Sequence, residues 1–263
     1  MDGWARYLTP GAVHRRLGLV CLGAGEQRGT VPGCRERVLG CHAAVLLSAG
    51  RGELVAAGRT YPLVAPLVFW LRPGVRHSYG ADAGGWAESW LLFDGPAAEA
   101  YAELGWLPAD EAVTALPDPA PVRRSFGRLA AAVRGAEPDV PAAAAVHDLL
   151  VTVRRTTGAD RSPVLTALRR EAARRWPVAE HARRLGLSAA ALRRAVRRAA
   201  GTGPAEYLLS VRVTLAKELL AGTDRTVAAV ARQVGYDDPG YFTRLFTRRV
   251  GMPPSVFRDQ QRR

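Results

Sequence analysis

Four arginines on one helical face open the chemistry of this chain. At ~100° per residue, Arg193, Arg194, Arg197 and Arg198 fall on an arc opposite Leu192, Ala195, Val196 and Ala199. The pairs 193/197 and 194/198 set like charges one turn apart, costing a few tenths of a kcal/mol each. A row of phosphates turns that repulsion into attraction. Guanidinium groups also form bidentate pairs with guanine O6 and N7. Fifty residues further on, Thr243, Arg244, Thr247 and Arg248 lie opposite Phe242, Leu245 and Phe246. Two such faces are the equipment of a polyanion binder.

The faces belong to a repeat. Val178, Ala182 and Gly186 recur 49 residues later as Val227, Ala231 and Gly235. After a one-residue slip, Leu192, Arg194, Val196, Arg198, Gly201, Pro204 and Tyr207 return as Phe242, Arg244, Phe246, Arg248, Gly251, Pro254 and Phe257. Each copy reads as a helix, a glycine turn and a second helix, over about 176–199 and 225–250. Ser188 and Asp238 are the expected N-caps of the second helices, with Pro239 at a first helical position. A helix over 205–221 joins the copies, with Leu208, Val211, Leu215 and Leu219 as its buried stripe and Gly222 as its stop. At 1.5 Å per residue it is a spacer of roughly 25 Å, suited to holding two reading helices about one DNA turn apart.

Charge agrees with this placement. Residues 161–263 hold 21 of the 37 Lys+Arg and 8 of the 24 Asp+Glu, which equals the whole chain's excess of +13. The remainder is neutral, so a polyanion-binding module is attached to a part that is not one. Cys21, Cys34 and Cys41 form no CxxC pair and are expected as small buried hydrophobes. With no secretory signal and no apolar run near ~20 residues, a cytoplasmic setting without a membrane partner is expected.

Residues from about 10 to 95 read as short strands, at 42–48, 52–56, 67–71 and 86–93. The intervening segments 49–52, 57–59, 72–74 and 84–85 read as turns. Pro62 and Pro66 place their segment at an edge or bend. From Pro96 the character becomes helical. Helices over 122–134 and 141–155, broken by 135–138, form an antiparallel pair that serves as a dimer surface or packs on the strands. Residues 158–162 read as the interdomain linker. The fold class is therefore α+β multidomain: a strand-built domain over 1–95, a helical region over 96–160, and an all-α domain over 161–263.

The run Gly235-Tyr236-Asp237-Asp238-Pro239-Gly240-Tyr241-Phe242-Thr243-Arg244-Leu245-Phe246, followed by 251–258, closely resembles the signature of AraC/XylS-type transcriptional regulators. The resemblance covers residues 161–259. It implies a seven-helix domain that places two helix-turn-helix units in adjacent major grooves of double-stranded DNA. Carried over singly, the base-contacting positions are Ala190, Arg193 and Arg194, then Pro239, Gly240, Thr243 and Arg244. Arg197, Arg198 and Arg248 fall to phosphates. Val196 stands where the family usually has an aromatic, which implies a looser first core.

Residues 73–79, then Trp86, Trp90 and Phe93, resemble the cupin-like sensor domain of sugar-responsive members of that family. This implies a barrel holding a small, sugar-like effector, with His77, Tyr79, Trp86, Glu88 and Trp90 as candidate contacts. Glu88 stands where an arabinose sensor has a histidine and Ala49 where it has an arginine, so arabinose is not implied. Trp86 and Trp90 are equally suited to filling the core. The histidines are scattered singly, without the His-x-His start of a metal-dependent cupin. No catalytic residue, metal or cofactor is expected. The resemblance further implies a homodimer, with RNA polymerase as a partner if it activates. Two alternatives are a regulator controlled by a partner protein or by nothing beyond its own abundance, and an enzyme with an appended DNA-binding domain.

Overall fold

A computed structural model describes residues 2–30, 33–107, 111–158 and 162–261. The chain divides into two compact units, residues 1–160 and 161–263. The expected linker 158–162 lies mostly outside the described residues, because 159–161 are not among them.

The first unit runs β1 (Asp2–Tyr7), α1 (Ala12–Arg15), β2 (Val20–Gly29), β3 (Cys34–Arg37), β4 (His42–Ala56), β5 (Arg59–Val64), β6 (Leu67–Leu71), β7 (His77–Asp94), α2 (Pro96–Glu103), β8 (Val113–Ala115), α3 (Ala120–Arg134) and α4 (Asp139–Thr156). One antiparallel sheet has the order β1-β2-β7-β4-β6-β8, with β3 added on β7 and β5 on β4. Two of the expected turns are not turns. Residues 49–52 lie inside β4 and residues 84–85 inside β7. Pairing of β4 with β7 shifts register between Leu47 and Ala49 and again between Gly50 and Gly52. These glycines are bulges at a fold in the sheet. At Gly50, with φ +89°, a Cβ would lie 2.4 Å from the Gly85 carbonyl oxygen, so the strands cross there only without side chains. Ala57-Gly58 is a true hairpin turn, with both φ values positive. Pro62 sits in β5, which among the described residues pairs only with β4.

Alternation along these strands makes two cores. Ala43, Val45, Leu47, Leu54, Phe69, Trp86 and Trp90 pack inside the folded sheet. Ala44, Leu46, Val68, Leu91 and Phe93 face the other way, against Val122, Phe126 and Leu129 of α3 and Val146, Leu149 and Val153 of α4. Each fully buried Leu or Phe of that seam contributes roughly 1.5–3 kcal/mol. One face of the helix pair is thus used up in packing on the sheet. Helical character from Pro96 onward is interrupted by β8, which pairs with β6. Cys21 lies in the seam, and burial pushes its thiol up to about 11. Cys41 is buried too, but Cys34 is only half-buried, because among the described residues β3 is paired on one side alone.

The second unit comprises α5 (Pro163–Glu171), α6 (Val178–Arg184), α7 (Ala189–Ala200), α8 (Pro204–Gly222), α9 (Val227–Gln233), α10 (Pro239–Val250) and α11 (Pro254–Gln261). Leu168, Ala182, Leu192, Val196, Tyr207 and Leu208 form one core. Val213, Ala216, Leu220, Val230, Ala231, Phe242 and Phe246 form the other. The stripe expected on α8 is corrected by this arrangement. Of its four residues, Leu208 is buried and Val211, Leu215 and Leu219 are only half-buried. The helix serves two cores, so its buried residues rotate from Tyr207 and Leu208 to Val213, Ala216 and Leu220. Gly222 is the last helical residue rather than a left-handed stop. Thr223 caps the helix in extended conformation, its hydroxyl donating to the Leu219 carbonyl at 2.6 Å.

Candidate nucleic-acid interface and sheet pocket

Helices α6 and α7 form one helix-turn-helix, α9 and α10 the other. The Ser188 hydroxyl accepts from the Ala191 amide at 3.1 Å, and an Asp238 carboxylate oxygen accepts from Gly240 at 2.8 Å. Both helices end on left-handed glycines, Gly201 (φ 67°) and Gly251 (φ 86°). Identical punctuation around a fully buried pair, Leu192/Val196 or Phe242/Phe246, fixes which arc faces outward. On α7 that arc carries Ala190, Arg193, Arg194, Arg197 and Arg198, all exposed. Among the described residues none of these arginines has a carboxylate within 4 Å.

The α10 face is more constrained. Arg244 lies 4.0 Å from Asp238 over the helix start. Thr243 and Thr247 donate their hydroxyls to the Pro239 and Thr243 carbonyls, each at 2.8 Å. Gly240 and Arg248 are exposed, Pro239 half-buried. Sequence reasoning passed over Tyr241, which is 50% exposed on the same turn. Its place beside Thr243 and Arg244 follows from helical spacing, although an aromatic next to Phe242 reads equally as core.

Many other arginines of this unit are structural. Arg212 donates to the Ala172 and Arg174 carbonyls at 2.6 and 2.9 Å and lies over the Tyr236 ring. Arg249 forms a bidentate pair with Glu206 at 2.7 Å. Arg175 pairs with Asp237, and Arg258 donates to the Leu220 and Arg225 carbonyls. The charge surplus is thus divided between bonds that hold the domain and cations left for a polyanion.

Inside the folded sheet, β7 aligns the five residues singled out from the sequence. His77, Trp86, Glu88 and Trp90 are buried and Tyr79 is half-buried. Tyr79 stacks between His77 and Trp86, and Phe69 meets its ring edge-on. A cavity of about 70 Å³ is bounded by Tyr7, Gln27, Arg37, Leu71, Tyr79 and Trp90, among others. His77 lines a separate cavity of about 30 Å³. His77 Nδ1 lies 3.0 Å from the Val75 carbonyl, which can only accept, so that nitrogen carries the proton. Nε2 is then a lone pair without a partner, as are Glu88 Oε2 and, as a donor, the Trp86 indole N–H. Burial pushes Glu88 up to about 7 and lowers His77. Among the described residues no group of three or more His, Cys, Asp or Glu is placed to hold a metal.

Residues 24–150 match the AraC-like ligand binding domain family, and residues 181–260 match a helix-turn-helix domain family. The chain belongs to the AraC family. Relatives of this AraC-family chain include a putative AraC-like transcription regulator from Streptomyces lividans, 37% identical over 94 residues, which are 36% of this chain and 31% of that protein. The HTH-type transcriptional activator RhaR of Klebsiella pneumoniae is 32% identical over 99 residues, 38% of this chain and 35% of its own. These matches thus span about a third of the relatives' length. Among solved structures, ToxT of Vibrio cholerae aligns over 92% of this chain and 98% of its own at 12% identity, with a TM-score of 0.34. Among the described residues, no helix of this AraC-family protein is long and apolar enough to cross a membrane.

Proposed function

We propose that this AraC-family chain is a cytoplasmic, sequence-specific transcription regulator that binds double-stranded DNA under the control of a small molecule held in its folded sheet. The observation that carries the reading is α7, a helix capped at both ends and fully buried on one side. Its opposite side presents four arginines without acidic partners among the described residues. In this reading Arg193 and Arg194 take guanine edges, with Ala190 leaving room for close approach. Arg197, Arg198 and Arg248 take phosphates. Pro239, Gly240, Thr243 and Arg244 form the contact surface of α10. A homodimer formed by the outer faces of α3 and α4 presents two such readers, and RNA polymerase is the further partner at promoters it activates.

Tyr79 and Trp90 bound the effector's cavity, with Trp86 and Glu88 beside them on the interior face of β7 and His77 at the neighbouring cavity. The effector acts by its different affinity for two arrangements of the chain. Selection of bound fragments from genomic DNA tests the reading. Recovery of one recurrent motif, with affinity falling steeply as salt rises, is expected. Recovery of unrelated sequences in proportion to their abundance overturns it.

A further inference from the structure

Resting on the reading of the folded sheet as an effector pocket, we propose that the effector is a small organic monoamine. Its ammonium is held by Glu88 and its carbon skeleton lies against Tyr7, Tyr79 and Trp90. Glu88 is 4% exposed, and its Oε2 has no hydrogen-bond partner. It stands on the interior face of β7, opposite Gln27 of β2 and two residues before Trp90, both of which bound the 70 Å³ cavity. A buried carboxyl without a partner is costly. An ionised carboxylate only accepts hydrogen bonds, so the group that satisfies it must donate. An ammonium supplies three donors and the opposite charge.

The walls favour a cation over a polyol. Tyr7 and Trp90 lie with ring centroids 5.6 Å apart, and aromatic faces attract a desolvated cation. Leu39, Val45 and Leu71 offer a hydroxyl no partner, so polar side-chain contacts on this cavity come from Gln27, Arg37, Tyr7 and Tyr79, whereas a sugar carries hydroxyls all round. Arg37, also on the cavity, opposes a second positive charge, which selects a monoamine over a diamine.

Groups facing Glu88 leave it the titrating element of the site. On its own strand Tyr79 is held protonated well above its usual range, chiefly by burial, and the half-buried thiol of Cys34 on β3 is also raised. Gln27 on β2 and Leu47 on β4 do not titrate. The empty site therefore takes up a proton near neutrality that the ammonium displaces, and amine affinity rises from pH 6 to pH 8. A ligand that accepts a hydrogen bond from protonated Glu88 shows the reverse.

Calorimetry on the full chain with n-butylamine, n-butanol, 1,4-diaminobutane, butyrate and glucose tests this. The expected result is tightest binding of butylamine, with affinity rising with pH. Glu88→Gln, which matches the side chain's shape, is expected to lower amine affinity at least about tenfold without changing that for butanol. An unchanged near-ultraviolet circular-dichroism spectrum, which reports the packing of Trp86 and Trp90 in the sheet, shows that the variant is folded, and the wild-type pH profile decides the matter even if it is not. Equal or tighter binding of butanol or glucose, or an amine affinity that ignores pH and Glu88→Gln, overturns the amine while leaving an effector pocket in place. If neither this series nor a broad metabolite set binds, the effector reading falls with it.

Discussion

The two helix-turn-helix units share a plan and differ in their interiors. Around α10 a chain of rings runs Tyr236, Phe242, Phe246, Phe257, with successive centroids 5.7–5.8 Å apart. Around α7 the equivalent space is filled by aliphatic residues, one imidazole and a single core ring, Tyr207, the counterpart of Phe257. His181, where the second copy has Val230, is fully buried with neither ring nitrogen hydrogen-bonded. Val196 is as completely buried as Phe246, so the first core is smaller rather than more open. Their outer faces differ in the opposite sense. The smaller core carries the freer arginines, and the aromatic core carries side chains already tied to the helix backbone and to Asp238. The two units share a geometry while their packing and charge differ.

The largest test of that contrast is truncation of matched core residues. Phe246→Ala is expected to cost about 3–5 kcal/mol and Val196→Ala about 2, because the larger ring leaves the larger cavity. Urea denaturation followed by helical signal reads both, and equal losses would erase the asymmetry. Next comes DNA affinity. Arg194→Ala is expected to weaken operator binding by ~1–3 kcal/mol and to relax sequence preference. Arg244→Ala costs less, because Arg244 must first leave Asp238. A titration in which Arg244→Ala is the more damaging reverses the assignment of the main reader.

The turn glycines sharpen the comparison at lower energy. Both are left-handed, but a Cβ on Gly235 would sit 2.7 Å from the Ala173 carbonyl oxygen, whereas one on Gly186 meets nothing within 4 Å. Gly186→Ala should cost about 1 kcal/mol of backbone strain, and Gly235→Ala clearly more. Thermal melts of the two variants compare them directly.

His181 supplies the smallest effect and a pH signature. Burial lowers its pKa from 6.5, while Glu171, 3.9 Å away, opposes the shift. The unfolded chain therefore takes up this proton first as pH falls below about 6.5, and stability is lost on acidification. His181→Val, copying the second unit, should add about 1 kcal/mol at neutral pH and flatten that part of the acid loss between pH 6.5 and 5. A wild-type slope retained in the variant assigns the loss to other histidines.

Local signals carried the helical unit's plan into the sequence. Ser188, Asp238 and Pro239 act within one turn, and the Leu192/Val196 and Phe242/Phe246 spacings record burial directly. The sheet was less legible, because Gly50 and Gly85 matter through each other. The same residue type that marks a turn here permits two distant strands to touch. Strand β8 was hidden because three residues gain their conformation only by pairing with β6. Trp86, Glu88 and Trp90 were visible as a period of two along β7, whereas His77 and Tyr79 were marked only by the family resemblance. That Glu88 lacks a partner depends on what surrounds it in space. His181 is illegible by pattern, because one histidine in a helix has no periodicity, although its alignment with Val230 in the repeat marks it as interior.

The shared helix α8 has a consequence for how this domain can change. It lends Tyr207 and Leu208 to one core and Val213, Ala216 and Leu220 to the other. Neither half owns a complete interior, so a fragment cut on either side of α8 would bare an oily flank to water. The halves must then melt as one body, and the firmer aromatic side underwrites the lean one. Substitutions on the arginine-bearing surface of α7 can accumulate on credit from packing that lies on the far side of a single helix.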